Sequence, residues 1–124
     1  MQSDPSDKAP ALHVLSVSYD KELSHLRAMV LRHAGFTVYV AETKDAAMEQ
    51  LRAGCLDLML LGHTLPIADC RELIAVCRKR SPSIKIALLT HPAKARDTDM
   101  VDAYIESTDG PKALVEQLRD LAKR

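Results

Sequence analysis

From residue 11 onward, short β-branched or aliphatic runs alternate with longer stretches whose apolar residues recur at helical spacing. That alternation is the pattern of a parallel sheet covered by helices. Strands are predicted at 12–18, 36–41, 56–62, 84–90 and 101–105, and the third, carrying almost only aliphatic side chains, belongs in the sheet centre. Asp20 is placed to cap a first helix with a buried stripe of Leu23, Leu26 and Val30, stopped at Gly35. Thr43 can cap a second, which buries Ala47, Met48 and Leu51 and ends at Gly54. A third starts at Asp69, turns Cys70, Leu73, Ile74 and Cys77 inward, and closes on Arg78, Lys79 and Arg80, where the helix dipole favours cations. Asp109, Gly110 and Pro111 open a last helix with Leu114, Leu118 and Leu121 on its buried face. Residues 91–100 show no apolar stripe and read as a loop holding at most a short helix. Residues 1–10, with two prolines and no apolar periodicity, read as a disordered tail or linker ahead of one domain over 11–124.

Composition narrows the class. A chain of 124 residues has room for one folded domain. Equal numbers of basic and acidic residues, 17 of each, together with no Trp and one Phe, argue against direct nucleic-acid binding. No apolar run approaches the roughly 20 residues of a membrane span. The polar, acidic first residues do not resemble a secretory signal, so a cytoplasmic location is expected. Cys55, Cys70 and Cys77 form no metal or redox spacing motif and read as reduced thiols. Cys70 and Cys77 lie seven positions apart on one helix, about 10 Å at 1.5 Å per residue, too far for a disulfide.

In a doubly wound sheet the functional crevice lies beyond the carboxyl ends of the strands. Here those ends carry Ser18, Tyr19 and Asp20, then Gly62 and His63, then Thr90 and His91, then Ser107 and Thr108. With these residues in place the chain resembles the CheY-like receiver domains of two-component response regulators over nearly its whole length. The resemblance is carried by Val14-Leu15-Ser16-Val17 and His33-Ala34-Gly35-Phe36. It continues in Leu56-Asp57-Leu58-Met59-Leu60-Leu61 with Leu65-Pro66 and Asp69 behind it, in Leu88-Leu89-Thr90, and in Tyr104. It implies a flavodoxin-like α/β fold with five parallel strands in the order 2-1-3-4-5. Because the interval from Thr90 to Tyr104 is shorter than in the family, the fourth helix is expected to be shortened or missing.

The departures fall on the site itself. Ser18 and Tyr19 stand where receivers carry the acidic pair that holds magnesium, Gly62 where they carry the phosphoacceptor aspartate, and Ser107, followed by Thr108, where they carry a lysine and proline. Of the family's active-site set only Thr90 remains. An acyl phosphate needs a carboxylate nucleophile, which Gly62 does not have, and magnesium needs several hard oxygen ligands, so neither phosphorylation nor bound magnesium is expected. Thr90 and Tyr104 match the family's switch pair, and Tyr104 is expected either as an exposed contact at the sheet edge or packed on the last helix.

The expectation is therefore a signalling module and not an enzyme: an atypical receiver that works by phosphorylation-independent protein–protein interaction. The partner would be a histidine kinase, an output domain or another signalling protein, and the face of the fifth strand and last helix could pair two copies. The alternative is a sensing module whose emptied crevice takes a small molecule or a transition metal through Asp20, His63, Thr90 and His91.

Overall fold

The computed structural model describes residues 11–90, 101–106 and 109–124. Five strands, β1 (His13–Val17), β2 (Thr37–Ala41), β3 (Leu58–Leu61), β4 (Lys85–Thr90) and β5 (Ala103–Glu106), make one parallel sheet in the order β2-β1-β3-β4-β5. Among the described residues four helices connect or follow them: α1 (Lys21–His33), α2 (Lys44–Ala53), α3 (Ile67–Arg80) and α4 (Pro111–Ala122). The expected strand order and helix positions are met. The predicted tail over 1–10 and the predicted loop over 91–100, with its shortened fourth helix, lie outside the described residues.

Local chemistry sets the element ends. Asp20 Oδ1 accepts a hydrogen bond from Leu23 N at 3.1 Å and Thr43 Oγ1 one from Ala46 N at 3.0 Å, so each caps its helix as its residue type predicts. Gly35 follows α1 at φ 102°, a left-handed conformation that a side chain would oppose, and the chain turns there into β2. The start of α3 differs from expectation: Pro66 precedes it without a side-chain cap, and Asp69 lies inside the first turn. Asp69 serves another element instead, as described below.

Two cores lie on the two faces of the sheet. On one, α2 and α3 cover Leu15, Val17, Met59, Leu61, Ile86 and Leu88 with Leu51, Cys70, Leu73, Ile74 and Cys77. On the other, α1 and α4 cover Val14, Leu58, Leu60, Ala87, Leu89 and Ile105 with Ala28, Leu31, Leu114, Leu118 and Leu121. Cys70 and Cys77 are buried thiols, and burial pushes the Cys77 thiol up to about 11, while Cys55 is exposed. All three are unbridged.

Two expectations about burial are corrected. The buried face of α1 is Ser24, Ala28 and Leu31, while Leu26 is 57% exposed and Met29 55%. The helix carries apolar residues around much of its circumference, and it is the small Ser24 and Ala28 that let it lie close to the sheet. Tyr104 packs half-buried against the α2/α3 core, whereas its neighbour Ile105 faces α4. Strand alternation places the two on opposite faces, so Tyr104 does not rest on the last helix.

Candidate functional site

The strand order reverses between β1 and β3, and the ends of these two central strands define the crevice. Ser18, fully buried, follows β1; its Oγ lies 3.3 Å from the backbone N of Asp20, from which it accepts. Tyr19 sends its hydroxyl to Asp69 Oδ2 at 2.8 Å, tying the end of β1 to the first turn of α3. Lys44 Nζ, 3.9 Å from Asp69 and 3.0 Å from Glu72, extends this rim to α2. Burial first, then the Asp69 carboxylate that accepts its proton, holds the Tyr19 phenol well above its ordinary value of 10.0.

Gly62 follows β3, and its space is already taken. A Cβ built on it would stand 3.0 Å from a guanidinium nitrogen of Arg27, 3.1 Å from the Val17 carbonyl oxygen and 3.4 Å from Ser18 Cβ. Arg27 reaches there from α1, and its other terminal nitrogen lies 3.4 Å from His63 Nδ1. A guanidinium can only donate, so in this contact Nδ1 accepts and the imidazole proton belongs on Nε2. Desolvation depresses the guanidinium's proton affinity, offset in part by the Asp20 carboxylate. No carboxylate lies within 4.0 Å of Arg27 among the described residues.

Thr90, 4% exposed at the end of β4, points its hydroxyl sideways, donating to Glu106 Oε2 at 2.8 Å and lying 3.5 Å from Ile105 O. The structure thus gathers Ser18, Asp20, Gly62 and His63 around Arg27, turns Tyr19 toward α3, and binds Thr90 to β5. His91, Ser107 and Thr108 lie outside the described residues. Among the described residues no group of three or more His, Cys, Asp or Glu could hold a metal ion. Nor do the residues at the strand ends suit magnesium: the two hydroxyls are engaged elsewhere, and a fixed cation stands beside Gly62. Arg27 was not predicted from the sequence. A basic residue on a helix reads as solvated, although Arg27 lies at i+4 from Leu23 and beside Leu26 and Val30, on the side of α1 that faces the cavity.

No protein-family profile matches the chain. It is similar to the alkaline phosphatase synthesis transcriptional regulatory protein SphR of Synechococcus elongatus, at 29% identity over 97% of this chain. It is also similar to the phosphate regulon transcriptional regulatory protein PhoB of Escherichia coli, at 27% over 92%. The chain spans about half the length of these relatives, 52% and 53%. Among solved structures, a CheY-like receiver domain protein from Methanospirillum hungatei superposes with a TM-score of 0.80, at 22% identity over 91% of this chain and 94% of that one. The response regulator TrrA of Thermotoga maritima, in complex with magnesium and beryllofluoride, superposes with a TM-score of 0.78, at 24% identity over 89% of this chain and 98% of that one. Strand order, helix placement and these superpositions define the fold as CheY-like, of the flavodoxin type. In sequence the chain is similar to response regulators of two-component type, and its fold is that of their CheY-like receiver domains. No described helix is long and apolar enough to cross a membrane.

Proposed function

We propose that this chain is a receiver domain that signals by binding other proteins and accepts no phosphate. One observation carries the reading: at the end of β3 the backbone of Gly62 offers no nucleophile, and the Arg27 guanidinium lies 3.0 Å from where its side chain would begin. Acyl-phosphate chemistry needs a carboxylate at that point and a divalent cation beside it to neutralise the phosphoryl oxygens. A glycine cannot attack, and an arginine already there opposes the arrival of a second cation. Thr90 belongs to the same reading. Its hydroxyl is bound to the Glu106 carboxylate within the sheet, so no phosphoryl group is needed to hold it in place.

On this reading the module is not an enzyme, magnesium is not its cofactor, and its partner is a protein: a histidine kinase, an output domain or another signalling protein. Incubation with magnesium and acetyl phosphate, followed by intact-mass measurement, should leave the mass unchanged. Magnesium with beryllofluoride should leave the amide spectrum unchanged. A stoichiometric phosphoryl adduct would overturn the reading.

A further inference from the structure

Beside Arg27 the α1/α4 face is not fully packed. A cavity of about 250 Å³ opens between α1, the start of α4 and the carboxyl ends of β4 and β5, walled by Leu23, Leu26, Val30, Leu89 and Leu114. Its polar lining is Arg27, His63 and Glu106. The Glu106 carboxylate accepts from the Thr90 hydroxyl at 2.8 Å, and His63 Nδ1 is in contact with Arg27 at 3.4 Å. Arg27 is therefore the unusual group: half-buried, beside a cavity, and with no carboxylate within 4.0 Å among the described residues. Removing a guanidinium from water without an ionic partner is unfavourable, and a bound anion would reverse that.

We propose that this cavity binds a small monocarboxylate with an apolar body, its carboxylate on Arg27 and its body among the α1 and α4 side chains. The guanidinium fork matches a carboxylate's two oxygens. The aliphatic walls account for the body, since an inorganic anion would gain nothing from them. Size sets the scale: the cavity lies just under the roughly 300–1,000 Å³ usual for ligand clefts, so the ligand is a single ring or a short branched chain. The site shares His63 with the crevice of Asp20, Thr90 and the histidines but is not that crevice, because Asp20 caps α1, Thr90 is bonded to β5, and neither lines the cavity. It is also independent of the proposed failure to accept phosphate, which could be disproved while the cavity still bound its acid.

Benzoate is the probe, with benzamide as its uncharged counterpart, titrated into the intact chain and followed by methyl and arginine side-chain NMR. Benzoate should give saturable shifts at the Leu23, Leu26, Val30 and Leu114 methyls and at the Arg27 side chain. Benzamide should bind more weakly by about tenfold or more, the factor that corresponds to about 1.4 kcal/mol. In Arg27→Met, which keeps most of the side-chain volume, the preference for benzoate should vanish. Absence of saturable shifts at these methyls would overturn the proposal, and so would equal binding of the two probes to the unaltered chain, a result that does not depend on how the variant folds.

Discussion

The two faces of this sheet are built from the same kinds of residue and finished differently. Under α2 and α3 the side chains interlock, the helix carries its cysteines and aliphatics in one buried stripe, and the rim is cross-tied by Tyr19, Asp69, Lys44 and Glu72. Under α1 and α4 the core is equally apolar in the middle but open at its upper end. Leu26 and Met29 face water, a cavity remains beside Arg27, and the hydroxyls of Ser16 and Ser24 are buried without a partner among the described residues. A fold that needs one face only for cohesion can leave the other for binding. Buried hydroxyls without partners and exposed apolar side chains lower stability, and the grouping of Ser24, Leu26 and Met29 on one helix, with Ser16 on β1, argues that α1 is shaped by something besides stability.

The contrast is broken most directly by the same substitution on each face. Leu73→Ala, in the closed core and fully buried, should lower the unfolding free energy by about 2–5 kcal/mol. Leu26→Ala, 57% exposed on α1, should change it by less than about 0.5 kcal/mol. Urea denaturation of the two variants measures both. Comparable losses would mean that α1 is packed as tightly as α3 and that the two faces do not differ.

A second, smaller effect concerns the crevice. Gly62→Ala adds a methyl group 3.0 Å from an Arg27 nitrogen and 3.1 Å from the Val17 carbonyl. The guanidinium can swing away, but the carbonyl belongs to a central strand and cannot. The expected cost is about 1–2 kcal/mol, within the usual range for overpacking. In an Arg27→Ala background part of that cost should disappear, giving a coupling of at least about 0.5 kcal/mol in a double-mutant cycle. Strict additivity would show that Arg27 does not occupy the space beside Gly62.

Much of this could be read from the sequence because the strong signals were local or periodic. The uniformly aliphatic third strand, the caps Asp20 and Thr43, and the inward stripes of α3 and α4 each declare themselves within a few residues. That a glycine, which carries no nucleophile, follows the third strand is visible in the same way. The rotation of α1 was not legible. Leu23, Leu26, Met29, Val30 and Leu31 spread apolar character around the helix, and the face that packs is chosen by the small residues between them, which carry little hydropathy signal. Arg27 escapes notice for a different reason: it lies beside Leu23, Leu26 and Val30 on one side of α1, but a basic residue there reads as solvated. Tyr19 is visible at the end of the first strand, but nothing local announces its partner Asp69, fifty residues away, whose residue type reads instead as the start of a helix.

That tie gives the smallest of the expected effects and the one that most sharpens the picture of a sealed α2/α3 rim. Burial, followed by the bond to Asp69 Oδ2, raises the Tyr19 phenol well above 10.0 in the folded chain. An unfolded tyrosine keeps the ordinary value of about 10, so as the pH rises the unfolded chain loses this proton first. The stabilisation is therefore complete below about pH 10 and is lost progressively above it, as the gap between the two states closes only at the folded value. Tyr19→Phe keeps the ring and removes the bond, leaving Asp69 its contact with Lys44 and with water. Near neutral pH the variant should be less stable by about 0.5–1.5 kcal/mol, the net worth of one such hydrogen bond. In an ultraviolet titration of the native chain, the component that ionises late should be absent from the variant. If instead the variant matches the unaltered chain in both measurements, the Tyr19–Asp69 bond does not hold this edge, and the two faces are sealed to the same degree at the strand ends.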